Sequence, residues 1–167
     1  MPDCEEYTNP TIKDGWQHCF TFPREVFIKD GKVCQKPVRE LDAKKQQLQD
    51  VQNELTQSGC PVYEVNVDGI KENHFQAVLS DELILDYENG RFQMHFTTKS
   101  KTSVSAGRSL RYAEVGTLKN VKILADTSSV EVFVNDGEFV FSTRYYPNDY
   151  KIVVHSPSAH ITFDKIQ

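Results

Sequence analysis

Acidic side chains are the residues of this chain whose type and spacing come nearest to hydrolytic chemistry. Such chemistry needs two carboxyl groups facing one pocket, and the group that acts as the acid needs apolar surroundings that raise its pKa. Asp136 and Glu138 flank a predicted turn, where the first suits turn geometry and the second a solvated face. Glu131 stands on the preceding strand, where we expect it to face Arg144 across the hairpin. Because no carboxylate has an evident apolar pocket, we predict no catalytic residue.

The cysteines and histidines show no metal-ligand spacing. The four cysteines, at positions 4, 19, 34 and 60, form no C-x-x-C pair, and no two histidines stand at i, i+4 of a predicted helix. Free thiols in a reducing compartment are the preferred interpretation, two disulfides are the alternative, and structural zinc is a remote third. The N-terminal residues do not resemble a signal peptide. We therefore predict no metal, no cofactor and a cytoplasmic location.

Composition and charge narrow the classes of partner. Hydrophobic residues make up 38% of the chain and charged residues 26%, a balance typical of a globular domain with its own core. The net charge is −5, and lysines and arginines are scattered, so no nucleic-acid partner is expected. The apolar runs are far shorter than the ~20 residues of a membrane helix, so no membrane partner is expected.

The first of three zones, residues 1–37, predicts a β-hairpin. Residues 18–22 and 26–28 are rich in β-formers, and the Asp30-Gly31 pair predicts a tight turn into a returning strand. Two strands alone are marginally stable in water, so another part of the molecule has to cover this hairpin.

The second zone, residues 38–60, predicts a linker helix. It holds no glycine or proline up to position 57, and four apolar residues fall on one narrow stripe: Leu41, Leu48, Val51 and Leu55. A coiled coil is the alternative, but Lys44 or Lys45 occupies the place of a second seam residue.

The third zone, residues 61–167, predicts an all-β fold, a two-sheet antiparallel β-sandwich of the lectin type. Short strands recur with turn signals between them and no helix intervenes. The clearest hairpin is Val130 to Arg144, with Asp136-Gly137 as its turn. The predicted strands are 62–67, 74–79, 82–87, 91–97, 108–114, 118–125, 129–135, 138–145, 150–155 and 159–165.

Two segments carry a resemblance to a known family. The first, Tyr7 to Leu41, contains Trp16, then Pro23-Arg24-Glu25, then Gln-x-Pro-Val-x-Glu-Leu from Gln35. The second, Ile123 to Pro147, contains the hairpin with Asp126, Glu131, Asn135, Gly137 and Arg144, and Gly107 to Val115 also fits. Together they resemble the end of glycoside hydrolase family 32, which includes invertases, levanases and sucrose-6-phosphate hydrolases. The resemblance implies a structural role for the named residues Pro23, Arg24, Glu25, Asp126, Glu131, Asn135, Gly137 and Arg144.

The resemblance implies a five-bladed propeller that carries the active site and precedes the sandwich. In the family, an Asp of a Trp-x-Asn-Asp-Pro-Asn-Gly motif is the nucleophile, a Glu of a Glu-Cys motif is the acid/base, and an Arg-Asp-Pro motif supports the transition state. None of these strings occurs in this sequence. We therefore expect residues 1–37 to be the remnant of the last blade, the chain to lack about four blades, and the isolated chain to be inactive.

Three functions are open on this basis. The leading hypothesis is a non-catalytic module that stabilises the missing catalytic propeller. The second is sugar binding on the sandwich by exposed tyrosines, Tyr145, Tyr146 and Tyr150, although a cap on the end of the core is the preferred interpretation of these residues. In the intact parent, Trp16 with Gln17 and His18 either borders the sugar funnel or, for Trp16, packs between blades. The third is assembly, in which orphan blade strands within residues 18–36 form a homodimer or pair back onto the sandwich.

Overall fold

The fold is nearly all β. The computed structural model describes residues 9–71, 74–97, 110–147 and 149–167. Predictions at Gly107, at residues 108–109 and at Asn148 lie outside the described residues, as do Cys4 and Tyr7. In the described part, no helix is long and apolar enough to cross a membrane.

Strands dominate the described residues. Short 3-10 helices cover Pro10–Asp14 and Arg39–Lys44. The strands are β1 (Arg24–Lys29), β2 (Lys32–Pro37), β3 (Lys45–Gln57), β4 (Tyr63–Asp68), β5 (Phe75–Leu79), β6 (Leu83–Glu88), β7 (Arg91–Phe96), β8 (Leu110–Glu114), β9 (Asn120–Asp126), β10 (Ser129–Val134), β11 (Phe139–Arg144) and β12 (Ile152–Ile166).

Two antiparallel sheets share one long strand. The order of pairing is β11-β10-β9-β4-β12-β5-β6-β7-β8, and β3 runs along β12. Residues 160–165 of β12 pair with β4, whereas residues 152–155 pair with β5, and the register shifts between His155 and His160. We call the part from β11 to β4 with the end of β12 sheet I, and the part from β5 to β8 with the start of β12 sheet II. The predicted strands 150–155 and 159–165 are therefore one continuous strand.

Alternating side chains build the core between the sheets. In β10, Val130, Val132 and Val134 point inward and are fully buried, as the period-two pattern predicts. Phe92 of β7 packs its ring against Phe141 of β11, with 5.3 Å between the ring centroids. These contacts confirm the predicted sandwich.

A third layer covers the outer face of sheet I. It comprises residues 22–44 and is called the N-terminal layer below. Its β1–β2 hairpin turns at Asp30-Gly31, as predicted. A second, smaller core lies beneath it, where Phe22 and Leu41 pack on Leu124, Phe133 and Ile166.

The predicted linker helix over 38–60 is wrong. A short 3-10 helix ends at Lys44, and β3 follows for 13 residues in antiparallel pairing with β12. The local preference for helix loses because a long partner strand offers β3 backbone hydrogen bonds along most of its length. The apolar residues of the predicted helix stripe accordingly do not share one buried face, since Leu55 is buried whereas Leu48 is 44% exposed.

The predicted strand over 18–22 is also wrong. These residues form no ladder, and β1 begins only at Arg24, after Pro23. Proline lacks the N–H that a central strand needs, and the Phe22 N–H donates instead to a carboxylate of sheet I. Residues 18–22 therefore lead into the sandwich without forming a strand.

Candidate functional site

Two buried glutamates lie on the outer face of sheet I, the face that carries the N-terminal layer. Glu64 of β4 and Glu131 of β10 are each 1% exposed. Both are in register with Leu124 of β9, which lies between them. Because neighbouring strands are ~4.8 Å apart, the two glutamate backbones are ~10 Å apart.

Glu131 is the anchor of the N-terminal layer. Arg24 Nε donates to Glu131 Oε2 over 2.9 Å, and the Phe22 N–H donates to Glu131 Oε1 over 2.7 Å. The same guanidinium donates to Gln35 Oε1 at 3.1 Å and to Ser142 Oγ at 2.8 Å. Arg24 therefore joins β1, β2, β10 and β11 through one planar group, a geometry that arginine provides and lysine does not.

The β10–β11 turn forms a second contact with the N-terminal layer. The Gln35 N–H donates to the Gly137 carbonyl over 3.0 Å. Gly137 has φ +82°, and a Cβ added to it would lie 1.7 Å from the Gln35 carbonyl oxygen. Only glycine allows this approach. Lys29 contacts Asp136 at 2.6 Å, and Lys32 pairs with Glu138.

Asn135 holds the same turn from the other side. Its Oδ1 accepts the Lys119 N–H at 2.8 Å, and its Nδ2 donates to the Thr117 carbonyl at 2.9 Å. At the far end of β10, Asp126 Oδ1 accepts the Thr127 N–H at 2.6 Å within the β9–β10 turn. Both residues thus satisfy backbone groups of turns.

Glu64 is neutralised by two lysines. Its Oε1 accepts from Lys45 Nζ and from Lys122 Nζ, each over 2.8 Å, and from Asn66 Nδ2 over 3.0 Å. Burial alone would raise the pKa of Glu64, but Lys122 and then Lys45 outweigh it and lower that pKa. Glu64 is therefore a buried carboxylate anion whose charge is balanced by the ammonium groups of Lys45 and Lys122.

Asp164 faces Glu64 directly across the β12–β4 ladder. Burial, and then the charge of Glu64, raise the pKa of Asp164. Two carboxyl groups with opposed pKa shifts are the pattern of an acid–base pair. Here, however, Glu64 is sealed beneath side chains, so a substrate cannot reach its carboxylate.

The three rim candidates occupy the segment before β1. Trp16 is 45% exposed, and the Arg144 guanidinium lies 5.2 Å from its ring centroid. Arg144 is also 5.0 Å from the Tyr146 ring, and its Nη2 donates to the Tyr146 hydroxyl at 2.6 Å. The Gln17 carbonyl accepts from Asn9 Nδ2, and His18 is exposed. Trp16 and Arg144 are thus brought together.

The remaining motif residues belong to the base of the hairpin. The Pro23 carbonyl accepts the Val38 N–H at 3.1 Å, which closes the base of the hairpin. Glu25 contacts Lys36 at 3.2 Å and Arg39 at 3.9 Å, and the hydrogen bond from Lys36 lowers its pKa.

One sequence expectation about this region is wrong. Glu131 does not face Arg144: it is in register with Ser142, while Arg144 is opposite Ser129. Tyr145 belongs to the core, the preferred of its two interpretations, since it is 2% exposed and its hydroxyl donates to Ser80 Oγ at 2.6 Å. The length of the β10–β11 turn sets the register of the hairpin, and this register places Ser142 rather than Arg144 opposite Glu131.

No metal site is formed by the described residues, since no group of three or more His, Cys, Asp or Glu side chains is placed to hold an ion. Cys19, Cys34 and Cys60 are free thiols. His95 and His160 each contact one aspartate, Asp86 at 3.1 Å and Asp50 at 2.6 Å respectively.

Comparison with known proteins places these features in a family. The family described as "Glycosyl hydrolases family 32 C terminal" matches residues 72–167. A raffinose invertase of Escherichia coli is 32% identical over 151 residues, which are 83% of this chain and 31% of that enzyme. A sucrose-6-phosphate hydrolase of Bacillus subtilis (strain 168) is 30% identical over 162 residues, 88% of this chain and 32% of that enzyme. The chain thus spans about a third of the length of these relatives.

A solved structure has the same fold. The sucrose-6-phosphate hydrolase of Lactobacillus gasseri matches all of this chain and 37% of its own, with a TM-score of 0.78 and 20% identity. The match includes the N-terminal layer as well as the sandwich.

Proposed function

Because the chain belongs to glycoside hydrolase family 32 and contains its C-terminal domain, we propose that it is a non-catalytic module that stabilises a catalytic propeller. The intact enzyme would hydrolyse sucrose, sucrose 6-phosphate or fructans, the substrates that the resemblance implies. The module would act by holding the last blade through the Arg24–Glu131 pair and the Gly137 contact.

The observation that carries this proposal is the uneven burial of the β1–β2 hairpin. One part of it is fastened to sheet I, yet Val26, Ile28 and Val33 are 66%, 68% and 60% exposed. Aliphatic side chains clustered on an unpaired two-stranded sheet are typical of a surface that another part of a protein covers. The rest of a propeller is the occupant that the family resemblance implies.

The arrangement of carboxylates supports the absence of catalysis. Retaining glycosidases hold two carboxyl groups ~5–5.5 Å apart on an open site. Glu64 and Glu131 are two strands apart, buried, and each is bound to a cation. A carboxylate held in an ion pair and excluded from solvent serves packing rather than proton transfer.

A chimaeric enzyme tests the proposal. The matching region of the Bacillus subtilis sucrose-6-phosphate hydrolase would be replaced by this chain, and its activity and thermal stability would be measured. We expect an active chimaera, and a loss of stability when Val26 and Ile28 are both changed to Glu. Leu48→Glu, at an exposed apolar position of β3, is the matched control and should have little effect. A catalytic part that is equally stable without any module would contradict the proposal.

A homodimer through residues 18–36 is the second candidate, favoured by the same exposed apolar face and by Phe20, which is 99% exposed. The purified chain, measured by light scattering, would be a dimer that Val26→Glu with Ile28→Glu converts to a monomer. A wild-type monomer at all concentrations would exclude it.

A further inference from the structure

The outer face of sheet II carries a row of polar and planar side chains. Since the N-terminal layer covers sheet I, this face lies on the opposite side of the sandwich. Cross-strand pairing places six residues in one line: Glu54, His155, Gln76, Asp86, Gln93 and Tyr112. Five strand spacings of ~4.8 Å make this line ~24 Å long, the scale of an extended ligand rather than of a single small molecule.

A row of apolar side chains runs beside the polar row. It consists of Val153, Val78, Ile84 and Leu110, interrupted by His95 between the last two. The first three are partly exposed, and Leu110 is 51% exposed. The face is therefore striped along its length, with hydrogen-bonding groups on one side and aliphatic groups on the other.

Asp86, in the middle of the polar row, has unused capacity for a hydrogen bond. Its Oδ2 contacts His95 Nε2, but its Oδ1 is buried and has no hydrogen-bond partner among the described residues. A buried acceptor without a donor is costly, and the Asp86 side chain as a whole is 23% exposed. A cavity of about 420 Å³ opens there, lined in part by His74, Gln76 and Glu88, within the usual size range of ligand sites.

We propose that this striped face binds a neutral oligosaccharide. Sugar hydroxyls both donate and accept hydrogen bonds, as do the amides of Gln76 and Gln93, while the C–H faces of a sugar fit the aliphatic row. Tyr112, 57% exposed at the end of the row, has the Arg91 guanidinium 4.6 Å from its ring centroid on one face, which leaves the other face for a sugar ring. Carboxylates of the face disfavour polyanions, and Arg91 is already paired with Glu114. This function is independent of the propeller-stabilising role.

Calorimetric titration of the purified chain tests this site. The probes are a five-unit fructo-oligosaccharide, a five-unit gluco-oligosaccharide and an oligouronate of the same length. We expect saturable binding of at least one neutral probe and none of the oligouronate. Trp16 fluorescence should stay constant, because the binding face is not at the rim candidates. No heat from either neutral probe at high millimolar concentration, or equal binding of the charged one, would overturn the proposal.

Matched variants locate the binding. Tyr112→Ala and Gln93→Ala should each raise the Kd about tenfold, which is the effect of losing one ring contact or one hydrogen bond. Gln52→Ala, an exposed glutamine of β3 outside the row, should leave the Kd unchanged. Both site variants are to be checked for an unchanged unfolding temperature. Binding that is insensitive to both site variants would refute the assignment.

Discussion

Arg24 and Glu131 form a buried ion pair that joins the N-terminal layer to sheet I across 107 residues of sequence. The Glu131 side chain is 2% exposed and that of Arg24 is 16% exposed. Further hydrogen bonds surround the pair: the Phe22 N–H donates to Glu131, and Arg24 donates to Gln35 and Ser142. The attachment of the hairpin therefore depends on charge compensation as much as on apolar contact.

The first prediction concerns this pair. Arg24→Ala should lower the free energy of unfolding by about 3–5 kcal/mol, because it leaves a buried carboxylate without its cation. Urea denaturation measures the change. Lys36→Ala removes an exposed ion pair with Glu25 and should have a much smaller effect, since solvent screens the pair. Similar effects of the two substitutions would contradict the buried pair.

The second prediction concerns the turn at Gly137. Gly137→Ala should disrupt the contact with Gln35, because its Cβ would overlap the Gln35 carbonyl. The Gln35 amide should then exchange with solvent faster. Gly69→Ala is the control: its φ of +71° is also left-handed, but nothing lies within 4 Å of the added Cβ. Its cost should stay near the roughly 1–2 kcal/mol of a left-handed residue. Unaltered exchange at Gln35 in Gly137→Ala would argue against the docked hairpin.

The third prediction concerns β3. Leu55→Ala should cost about 2–5 kcal/mol, since Leu55 is 1% exposed in the main core. Leu48→Ala should change stability by at most about 0.5 kcal/mol, because that side chain is largely exposed. A helix with both leucines on its buried stripe would give comparable losses, and thermal unfolding of the two variants separates these outcomes.

These cases show which parts of the fold can be predicted from local sequence. The alternation of Val130, Val132 and Val134, with Asp136-Gly137 after them, is a local pattern, and the hairpin it predicts is present. The β3 sequence has local preferences for helix, but pairing with β12 is a non-local interaction that those preferences do not contain. The local sequence of a segment stabilised by non-local pairing therefore predicts the wrong secondary structure.

The buried Glu64 network could not be predicted for a similar reason. Glu64 and Asn66 alternate with the inward-facing Tyr63 and Val65, so the sequence pattern places the glutamate toward solvent. In the folded protein it is buried, and Lys45 and Lys122 converge on it from β3 and β9. By contrast, the family resemblance does indicate a structural role for Arg24 and Glu131, although it does not predict their contact.

The fourth prediction is a pH dependence. Because the pKa of Glu64 is lowered in the folded state, its stabilising contribution is present above its unfolded pKa and is lost as pH falls through the lowered value. Lys122→Met should raise the pKa of Glu64 and move this loss to higher pH. Denaturant unfolding at a series of acidic pH values measures the shift. Glu64→Gln removes the main titrating partner of Lys122, and Lys122→Met placed on that background should shift the profile much less, through Asp164 and Asp42 alone.

Asp164 should act in the opposite direction. Its pKa is raised in the folded state, so the protein gains stability as pH falls through that raised value. Asp164→Asn should accordingly stabilise the protein at neutral pH relative to wild type. A destabilisation there would show that the carboxylate is a favourable partner of Lys45 rather than a repelled neighbour of Glu64.

The central claim, that this chain carries no catalytic centre of its own, is tested most directly by a hydrolysis assay. The purified chain would be incubated at high concentration with sucrose, sucrose 6-phosphate and a fructo-oligosaccharide, and released fructose would be measured. We predict no release above the protein-free blank. Release of fructose that disappears in Glu64→Gln or Glu131→Gln would contradict the claim and would identify a buried glutamate as a catalytic residue.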